Sequence, residues 1–201
     1  MRQQIREHFS QADPVLSKLI DQVSEIEDLL SRESSQFFVS LCDEIISQQL
    51  SGKVATVIFE RFKNLFKGEV ITPYLVLKLS HEQLRSTGMS NAKARFIKDL
   101  SEKVLSGELD LVNIIALENS QVVEQLTKVK GIGPWTAEMF LMFTLGREDI
   151  FSHGDLGLKN AIKKIYQLDS PTKEEIEKIV SKWSPFKTYA CRILWKSLEI
   201  K

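Results

Sequence analysis

The fold of this 201-residue chain is decided by residues 126–137, which read LTKVKGIGPWTA. Gly131 and Gly133 flank Ile132, and Pro134 follows at a position that suits the first turn of a helix. Glycine permits positive φ and close backbone approach, so the stretch predicts a tight turn between two helices, with Ile132 filling the space between them. The first N–H groups of the second helix would then point outward at the positive end of its dipole, a surface that suits phosphate.

Two lysines, Lys128 and Lys130, add positive charge beside this turn. A grip of this kind contacts the backbone of a nucleic acid and reads no base sequence. The pattern Gly-x-Gly alone also fits a helical hairpin whose glycines only satisfy geometry. The hairpin by itself therefore leaves both interpretations open.

Apolar residues recur at three- and four-residue steps along most of the chain, which predicts helices. Such patterns run over residues 14–30, 37–48, 54–65 and 90–106. Capping residues indicate further helix starts at Ser80 with Gln83, Ser120, Asp155, and Thr172 with Glu175, and Pro185 is predicted to start the last helix. The only candidate strand, residues 69–79, contains a proline. The sequence thus predicts an all-α fold of about ten helices, with residues 1–201 forming one compact unit and the hairpin at 120–146.

Composition narrows the function classes. Lys plus Arg and Asp plus Glu number 27 each, so the formal net charge is zero, and nucleic-acid binding would depend on placed groups rather than on overall charge. Cys42 and Cys191 lie far apart in apolar stretches, which favours buried free thiols over a metal site. No stretch approaches the ~20 apolar residues of a membrane span, and residues 1–10 have no apolar signal core. We expect an intracellular protein.

Three further motifs, two of them after the hairpin and one before it, contribute to the interpretation. Residues 45–51 read IISQQLS, residues 149–159 read DIFSHGDLGLK, and residues 183–190 read WSPFKTYA. With the hairpin, they resemble the helix-hairpin-helix DNA glycosylase superfamily, in its order and spacing. Within it they are similar to the AlkA-type 3-methyladenine DNA glycosylases, in a compact form without the N-terminal sheet domain. The resemblance covers roughly residues 36–198 and implies two interleaved helical lobes that flank a DNA-binding cleft.

Asp155 has two readings. Local sequence favours an ordinary N-cap, because a His-Gly loop precedes it and an apolar-periodic stretch follows. The resemblance implies that Asp155 is the catalytic carboxylate, and capping does not exclude that role. Members of the superfamily that also cut the strand carry a lysine two residues after the second hairpin glycine, and here that residue is Trp135. The resemblance therefore implies base release without lyase activity.

The resemblance also implies which residues contact DNA and the base. The implied base pocket consists of Trp135, Phe186, Met139 and Leu156, of which the last two stand where larger relatives have tyrosines, so that the pocket would be less aromatic. We interpret Trp183 and Trp195 as core aromatics. Gln49 is the implied wedge that fills the vacated stack, with Leu50 as the neighbouring candidate. The implied DNA contacts are Gln49, Leu50, Ser51, Lys130, Gly131, Gly133 and Thr136, and the further candidates are Lys53, Lys93, Arg95 and His153.

Hairpins of this superfamily often hold a monovalent cation through backbone carbonyls, which here would be those of Thr127, Val129 and Gly131. No cofactor is otherwise expected. The resulting hypothesis is a monomeric, monofunctional glycosylase that flips and removes alkylated purines, 3-methyladenine and 7-methylguanine, from double-stranded DNA as the first step of base excision repair. The alternatives are a non-catalytic DNA-binding module and a glycosylase for another damaged base. The compartment would be the cytoplasm or nucleoid of a prokaryote, or the nucleus of a eukaryote.

Overall fold

The computed structural model of the protein describes residues 1–23 and 25–199. This part of the chain forms twelve α-helices and three short 3₁₀ turns and contains no strand, which confirms the all-α prediction with two helices more than expected. The helices are α1 Gln3–Ala12, α2 Pro14–Ile20, α3 Phe37–Ser47, α4 Gly52–Asn64, α5 Pro73–Lys78, α6 His81–Ser86, α7 Asn91–Ser106, α8 Asn119–Leu126, α9 Pro134–Phe143, α10 Leu156–Ile165, α11 Lys173–Val180 and α12 Lys187–Ser197.

The helices divide between two units. The central unit, Arg32–Leu145, contains α3 to α9, and the terminal unit, Met1–Ser31 with Gly146–Lys201, contains α1, α2 and α10 to α12. The chain returns to the terminal unit at Gly146, where φ is +66° and an added Cβ would lie 2.8 Å from the backbone nitrogen of Ser31. Only glycine fits this return point. The single compact unit expected for residues 1–201 stays a prediction.

The core of the central unit is built around α3. Phe37, Leu41 and Ile45 recur every four residues on one face of this helix and are fully buried. The Phe37 ring meets the ring of Phe140 on α9 edge to face, with centroids 5.7 Å apart. Burial of these side chains stabilises the unit by roughly 2 kcal/mol each. This packing fixes α9, which is the second helix of the hairpin, against α3.

A buried carboxylate, Asp13, organises the core of the terminal unit. One of its oxygens caps α2 by accepting the N–H groups of Val15 and Leu16, at 3.1 Å each. The other oxygen accepts the Trp183 indole N–H at 2.8 Å and the Tyr166 hydroxyl at 2.5 Å. Burial and the neighbouring Asp13 carboxylate raise the pKa of the Tyr166 hydroxyl well above its ordinary value. The network ties the first residues of the chain to the last third.

Two predictions about helices were wrong because tertiary contacts override the local pattern. The helix predicted over residues 14–30 ends at Ile20, because α12 takes the backbone beyond it: Arg192 donates to the Glu27 carbonyl at 2.5 Å, and the Lys196 ammonium donates to that of Glu25. The candidate strand 69–79 forms α5, capped by the Thr72 hydroxyl.

Smaller differences concern helix starts. Helix α8 begins after Glu118 rather than after Ser120, and the Glu118 backbone N–H donates to the Gln121 side chain at 3.0 Å. Pro185 lies in the turn before α12, which begins at Lys187. Helix α1 was not predicted, since only Ile5 and Phe9 mark its buried face.

Candidate functional site

The hairpin lies in the central unit, where α8 ends at Leu126 and α9 begins at Pro134. Gly131 has φ +84°, and an added Cβ would lie 2.1 Å from Cδ2 of Phe96. Glycine is therefore required at this position for its backbone conformation and for the space it leaves. Ile132 is buried, as the sequence predicts. Gly131 and Ile132 therefore pack the turn closely against the interior of the central unit.

Gly133 serves a different purpose. Its φ of −95° is accessible to any residue, and among the described residues an added Cβ would meet no atom within 4 Å. It is the N-cap of α9, so the open space adjoins the first turn, whose N–H groups have no acceptor within the helix. This is the surface on which a phosphate can approach the backbone closely.

Asp99 on α7 contacts Lys130 in the hairpin, and the sequence does not predict this contact. Its side chain is 8% exposed; one oxygen accepts the Lys130 backbone N–H at 2.9 Å, and the other lies 3.1 Å from the Lys130 ammonium. Burial alone would raise the pKa of the Asp99 carboxyl, but the hydrogen bonds and charge of Lys130 outweigh it and bring the pKa below its ordinary value. An aspartate on the inner face of an amphipathic helix was the available signal.

Gln48 connects α3 to both ends of the turn. Its side-chain amide donates to the Gly131 carbonyl at 2.8 Å and to the Thr136 hydroxyl at 3.1 Å. The sequence motif indicates the neighbouring Gln49 and does not predict these contacts of Gln48. Lys93, a candidate phosphate contact, instead donates to the carbonyls of Ile46 at 2.8 Å and of Gln48 at 2.6 Å. Its ammonium satisfies the end of α3, and partial burial lowers its pKa.

The loop between α3 and α4 is exposed and strained. Gln49 has φ +58°, a left-handed conformation that costs a non-glycine residue ~1 kcal/mol or more. Gln49, Leu50 and Ser51 are all exposed, and Ser51 is the N-cap of α4. The left-handed backbone at Gln49 breaks the helical path after α3 and leaves both wedge candidates, Gln49 and Leu50, at the surface.

Asp155 lies in the terminal unit as the N-cap of α10, as its local sequence indicates. Its Oδ1 accepts the Leu158 backbone N–H at 2.7 Å and the Trp195 indole N–H at 3.2 Å, and the residue is 9% exposed. These hydrogen bonds hold the Asp155 side chain in place at the positive end of the helix dipole. This geometry is suited to a fixed negative charge.

Trp195 corrects our interpretation of it as a core aromatic. Trp183 is fully buried in the core, but Trp195 is half-buried and holds Asp155. Gly157 makes room for this contact, since an added Cβ would lie 3.1 Å from Asp155 Oδ1 and 3.5 Å from the indole nitrogen of Trp195. Sequence spacing could not reveal the pair, because 40 positions separate its members.

The four residues of the implied base pocket differ in exposure. In the central unit, Trp135 is 41% exposed in the first turn of α9, and Met139 is buried one turn further on. In the terminal unit, Leu156 is 70% exposed beside Asp155. Phe186 is half-buried, with its ring 5.4 Å from that of His8. Trp135 and Leu156 therefore present apolar surface that the protein does not itself cover.

Other candidate side chains have partners within the protein. His153 Nε2 lies 3.1 Å from a carboxylate oxygen of Glu177, and the His153 ring packs edge to face on Phe151. Cys42 and Cys191 are buried free thiols, and burial raises the pKa of the Cys42 thiol well above its ordinary value. Within residues 1–23 and 25–199, no cluster of three or more His, Cys, Asp or Glu side chains could hold a metal ion. None of the helices in these ranges has the length and apolar character needed to cross a membrane.

Comparisons with known proteins identify the family of the chain. The family model described as "HhH-GPD superfamily base excision DNA repair protein" matches residues 42–186. DNA-3-methyladenine glycosylase 1 of Schizosaccharomyces pombe is 33% identical over 96% of this chain and 86% of its own length.

Two solved structures are also similar. The 3-methyladenine DNA glycosylase Mag1 of Schizosaccharomyces pombe, in complex with abasic DNA, has a TM-score of 0.85 and 32% identity, covering 98% of this chain and 97% of that one. A DNA-3-methyladenine glycosidase of Bacillus halodurans has a TM-score of 0.83 and 36% identity, covering 99% and 90%. The chain thus belongs to the HhH-GPD superfamily of base excision DNA repair proteins, which confirms the resemblance found in its motifs.

Proposed function

We propose that the protein is a monofunctional DNA glycosylase that hydrolyses the N-glycosidic bond of alkylated purines in double-stranded DNA. The observation that carries this proposal is the Asp155 carboxylate, fixed by Leu158 and Trp195 at the start of α10 in a chain of this superfamily. The similar proteins named as 3-methyladenine glycosylases support 3-methyladenine as the first substrate. We propose 7-methylguanine as the second, because it too carries a positive charge. Its place of action would be the DNA-containing compartment, the nucleoid or the nucleus.

The chemistry requires little beyond this carboxylate. Positive charge develops on the deoxyribose as the base leaves, and a fixed carboxylate stabilises that charge or orients a water molecule for attack on C1′. The 3-methyl and 7-methyl purines already carry a positive charge, so their glycosidic bonds are weakened before the enzyme acts. Acid assistance to the leaving base is therefore of minor importance, and a single carboxylate suffices.

The proposed base contacts are aromatic and apolar side chains. A flipped cationic purine gains roughly 1–2 kcal/mol from an electron-rich ring face, which we assign to Trp135 and Phe186. Met139 and Leu156 would complete the contacts with aliphatic surface, which narrows the range of bases compared with a pocket rich in tyrosine. Flipping costs a few kcal/mol, and Gln49 or Leu50 would fill the vacated stack.

The proposed phosphate grip uses the hairpin, with the N–H groups after Gly133 and the charge of Lys130. The carbonyls of Thr127, Val129 and Gly131 would hold a monovalent cation. Val129 accepts the Ile132 N–H at 3.1 Å and Gly131 accepts the Gln48 amide at 2.8 Å, and a carbonyl oxygen has two lone pairs. Such an ion would add positive charge toward a phosphate. Exchange of potassium for tetramethylammonium at constant ionic strength would then weaken DNA binding.

A base-release assay on methylated duplex DNA tests the proposal. We expect the wild-type protein to release 3-methyladenine and 7-methylguanine, with 1-methyladenine and hypoxanthine as the comparison substrates. Asp155→Asn keeps an oxygen acceptor for Leu158 and Trp195, so it should fold and bind abasic DNA, while release falls by about 100-fold or more. Release of none of these bases would overturn the substrate assignment, and unchanged behaviour of Asp155→Asn would favour a non-catalytic binding module.

The same assay addresses strand cleavage. In strand-cutting relatives, a lysine at the position of Trp135 forms the Schiff base. Tryptophan has no amine that could do so. We therefore expect no protein–DNA adduct after borohydride reduction and no strand break before alkali treatment. A trapped adduct would contradict the monofunctional assignment. Gel filtration of the protein with and without duplex DNA would test the expected monomer.

A further inference from the structure

A groove runs along α10 in the terminal unit. It consists of two neighbouring cavities, one of about 430 Å³ and one of about 290 Å³, which share Lys159, Pro171 and Ile176 in their walls. We call this feature the α10 groove. The lining residues that define it are Leu156, Lys159, Lys163, Pro171, Lys173 and Ile176.

The charge of the α10 groove is mainly positive. Lys159 and Lys163 are one helical turn apart on α10, and Lys173 stands at the start of α11. Lys159 and Lys163 form no ion pair within the described part of the chain. Among the residues that the structure describes, no carboxylate lines either cavity. Three glutamates, Glu174, Glu175 and Glu177, stand nearby on α11; Glu174 interacts electrostatically with Lys173, and Glu177 lies 3.1 Å from His153. The net charge of zero for the whole chain therefore conceals a local excess of positive charge.

The position of the groove is as informative as its charge. Gly154 lines the larger cavity and Leu156 lines the smaller one, so the residues on both sides of Asp155 belong to its walls. From there the groove follows α10 past Lys159 and Lys163. These two lysines are ~6 Å apart along the helix axis, so their ammonium groups can reach different phosphates of one DNA strand, which carries one charge per ~3.4 Å of duplex axis.

We propose that the α10 groove binds backbone phosphates of the damaged strand beside the nucleotide that loses its base. This inference rests on the proposed function, because it takes damaged DNA as the partner. The hairpin grip belongs to the central unit, whereas Asp155 belongs to the terminal unit. The groove gives the terminal unit a DNA contact of its own, built on the same helix that positions the carboxylate. Pro171, in the apolar wall of the groove, would pack against the sugars.

The test is the salt dependence of binding to a duplex with a tetrahydrofuran abasic site, measured by fluorescence anisotropy over a potassium chloride series. In Lys159→Gln/Lys163→Gln, loss of two phosphate contacts should make the slope of log K against log salt shallower by ~1.8. The matched control, Lys164→Gln/Lys178→Gln, removes the same charge from exposed positions of α10 and α11 outside the groove. It should keep the wild-type slope. An unchanged slope in the groove variant, or an equal change in both variants, would overturn the proposal.

Two additions keep the test decisive. Melting temperatures of both double variants should match the wild type, and Lys173→Gln, on the other wall, provides an independent variant with an expected slope change of ~0.9. Methylphosphonate substitution at single phosphates of the damaged strand should weaken wild-type binding at two or more adjacent positions on one side of the abasic site. The groove double variant should be insensitive at those same positions, and full sensitivity there would contradict the proposal.

Single-turnover base release separates this proposal from the one on which it rests. If the wild-type protein releases no methylated base but its salt slope depends on Lys159 and Lys163, the proposed function fails and the groove remains a DNA contact. If the wild-type protein releases 3-methyladenine and the groove variants keep its salt slope, the groove alone is refuted.

Discussion

The indole Nε1 of Trp195 lies 3.2 Å from Oδ1 of Asp155, the same oxygen that the Leu158 N–H holds at 2.7 Å. Two donors on one oxygen fix the rotation of the carboxylate about its side chain, and Gly157 keeps the space for the indole open. Under the proposed function, Trp195 would act through Asp155 as a positioning residue.

Replacement of Trp195 by phenylalanine should slow base release by about 10- to 100-fold, since a hydrogen bond to a charged group contributes ~1.5–3 kcal/mol. The loss should appear in kcat, with KM nearly unchanged. Tyr189→Phe is the control, because it deletes a hydroxyl that binds Leu29 and Glu148 in the same unit. Equal losses in the two variants would indicate a general structural effect and contradict the positioning role.

Gly131→Ala should destabilise the protein by about 2–4 kcal/mol. Left-handed backbone costs alanine ~1 kcal/mol or more, and the new Cβ would lie 2.1 Å from the Phe96 ring. Urea unfolding measures the loss, and Gly131→Ala in a Phe96→Ala background should recover the steric part of it. Gly133→Ala is the matched control: it should unfold within about 0.5 kcal/mol of the wild type but bind DNA more weakly, because its Cβ occupies the space beside the first turn of α9.

Asp99→Asn should loosen the hairpin. The variant loses the ion pair with the Lys130 ammonium and weakens the bond to the Lys130 N–H, which should lower the free energy of unfolding by ~2 kcal/mol at neutral pH. The lowered pKa of Asp99 means that its contribution is present above the pKa of the unfolded chain and is lost as pH falls through the folded value. The difference between wild type and variant in urea unfolding should therefore shrink in acid, and a difference independent of pH would argue against an electrostatic brace.

Glu44 on α3 gives a pH dependence of the opposite sign. Burial, and secondarily the charge of Asp43, raise the pKa of its carboxyl to about 7 from an ordinary 4.5. Between these two values the folded protein holds a proton that the unfolded chain has lost, so Glu44 makes stability fall as pH rises through this window. Glu44→Gln should raise the free energy of unfolding by ~2 kcal/mol at pH 8 and leave it nearly unchanged at pH 4. Glu102→Gln, on an exposed face of α7, should show no such trend.

The sequence predicts features that depend on neighbouring residues, but it does not predict contacts between residues far apart in the chain. Asp155 as a helix cap and Gly131 at the turn depend on neighbours within a few residues, and the structure has both as expected. The contacts of Asp99 with Lys130 and of Gln48 with Gly131 join residues 31 and 83 positions apart. No local pattern specifies such pairs, because a polar residue on a helix face leaves its partner undetermined. The interpretation of Trp195 as a core aromatic was wrong for the same reason, because its partner Asp155 lies 40 positions away.

The division of the chain between the two units has a consequence for synthesis on the ribosome. The central unit is complete once its last residue, Leu145, has emerged, so the hairpin can form early. The terminal unit must wait, since Asp13 pairs with Trp183, 170 positions later, and Asp155 receives its second donor only from Trp195. A nascent chain thus forms its hairpin before the Asp155 carboxylate is held in place.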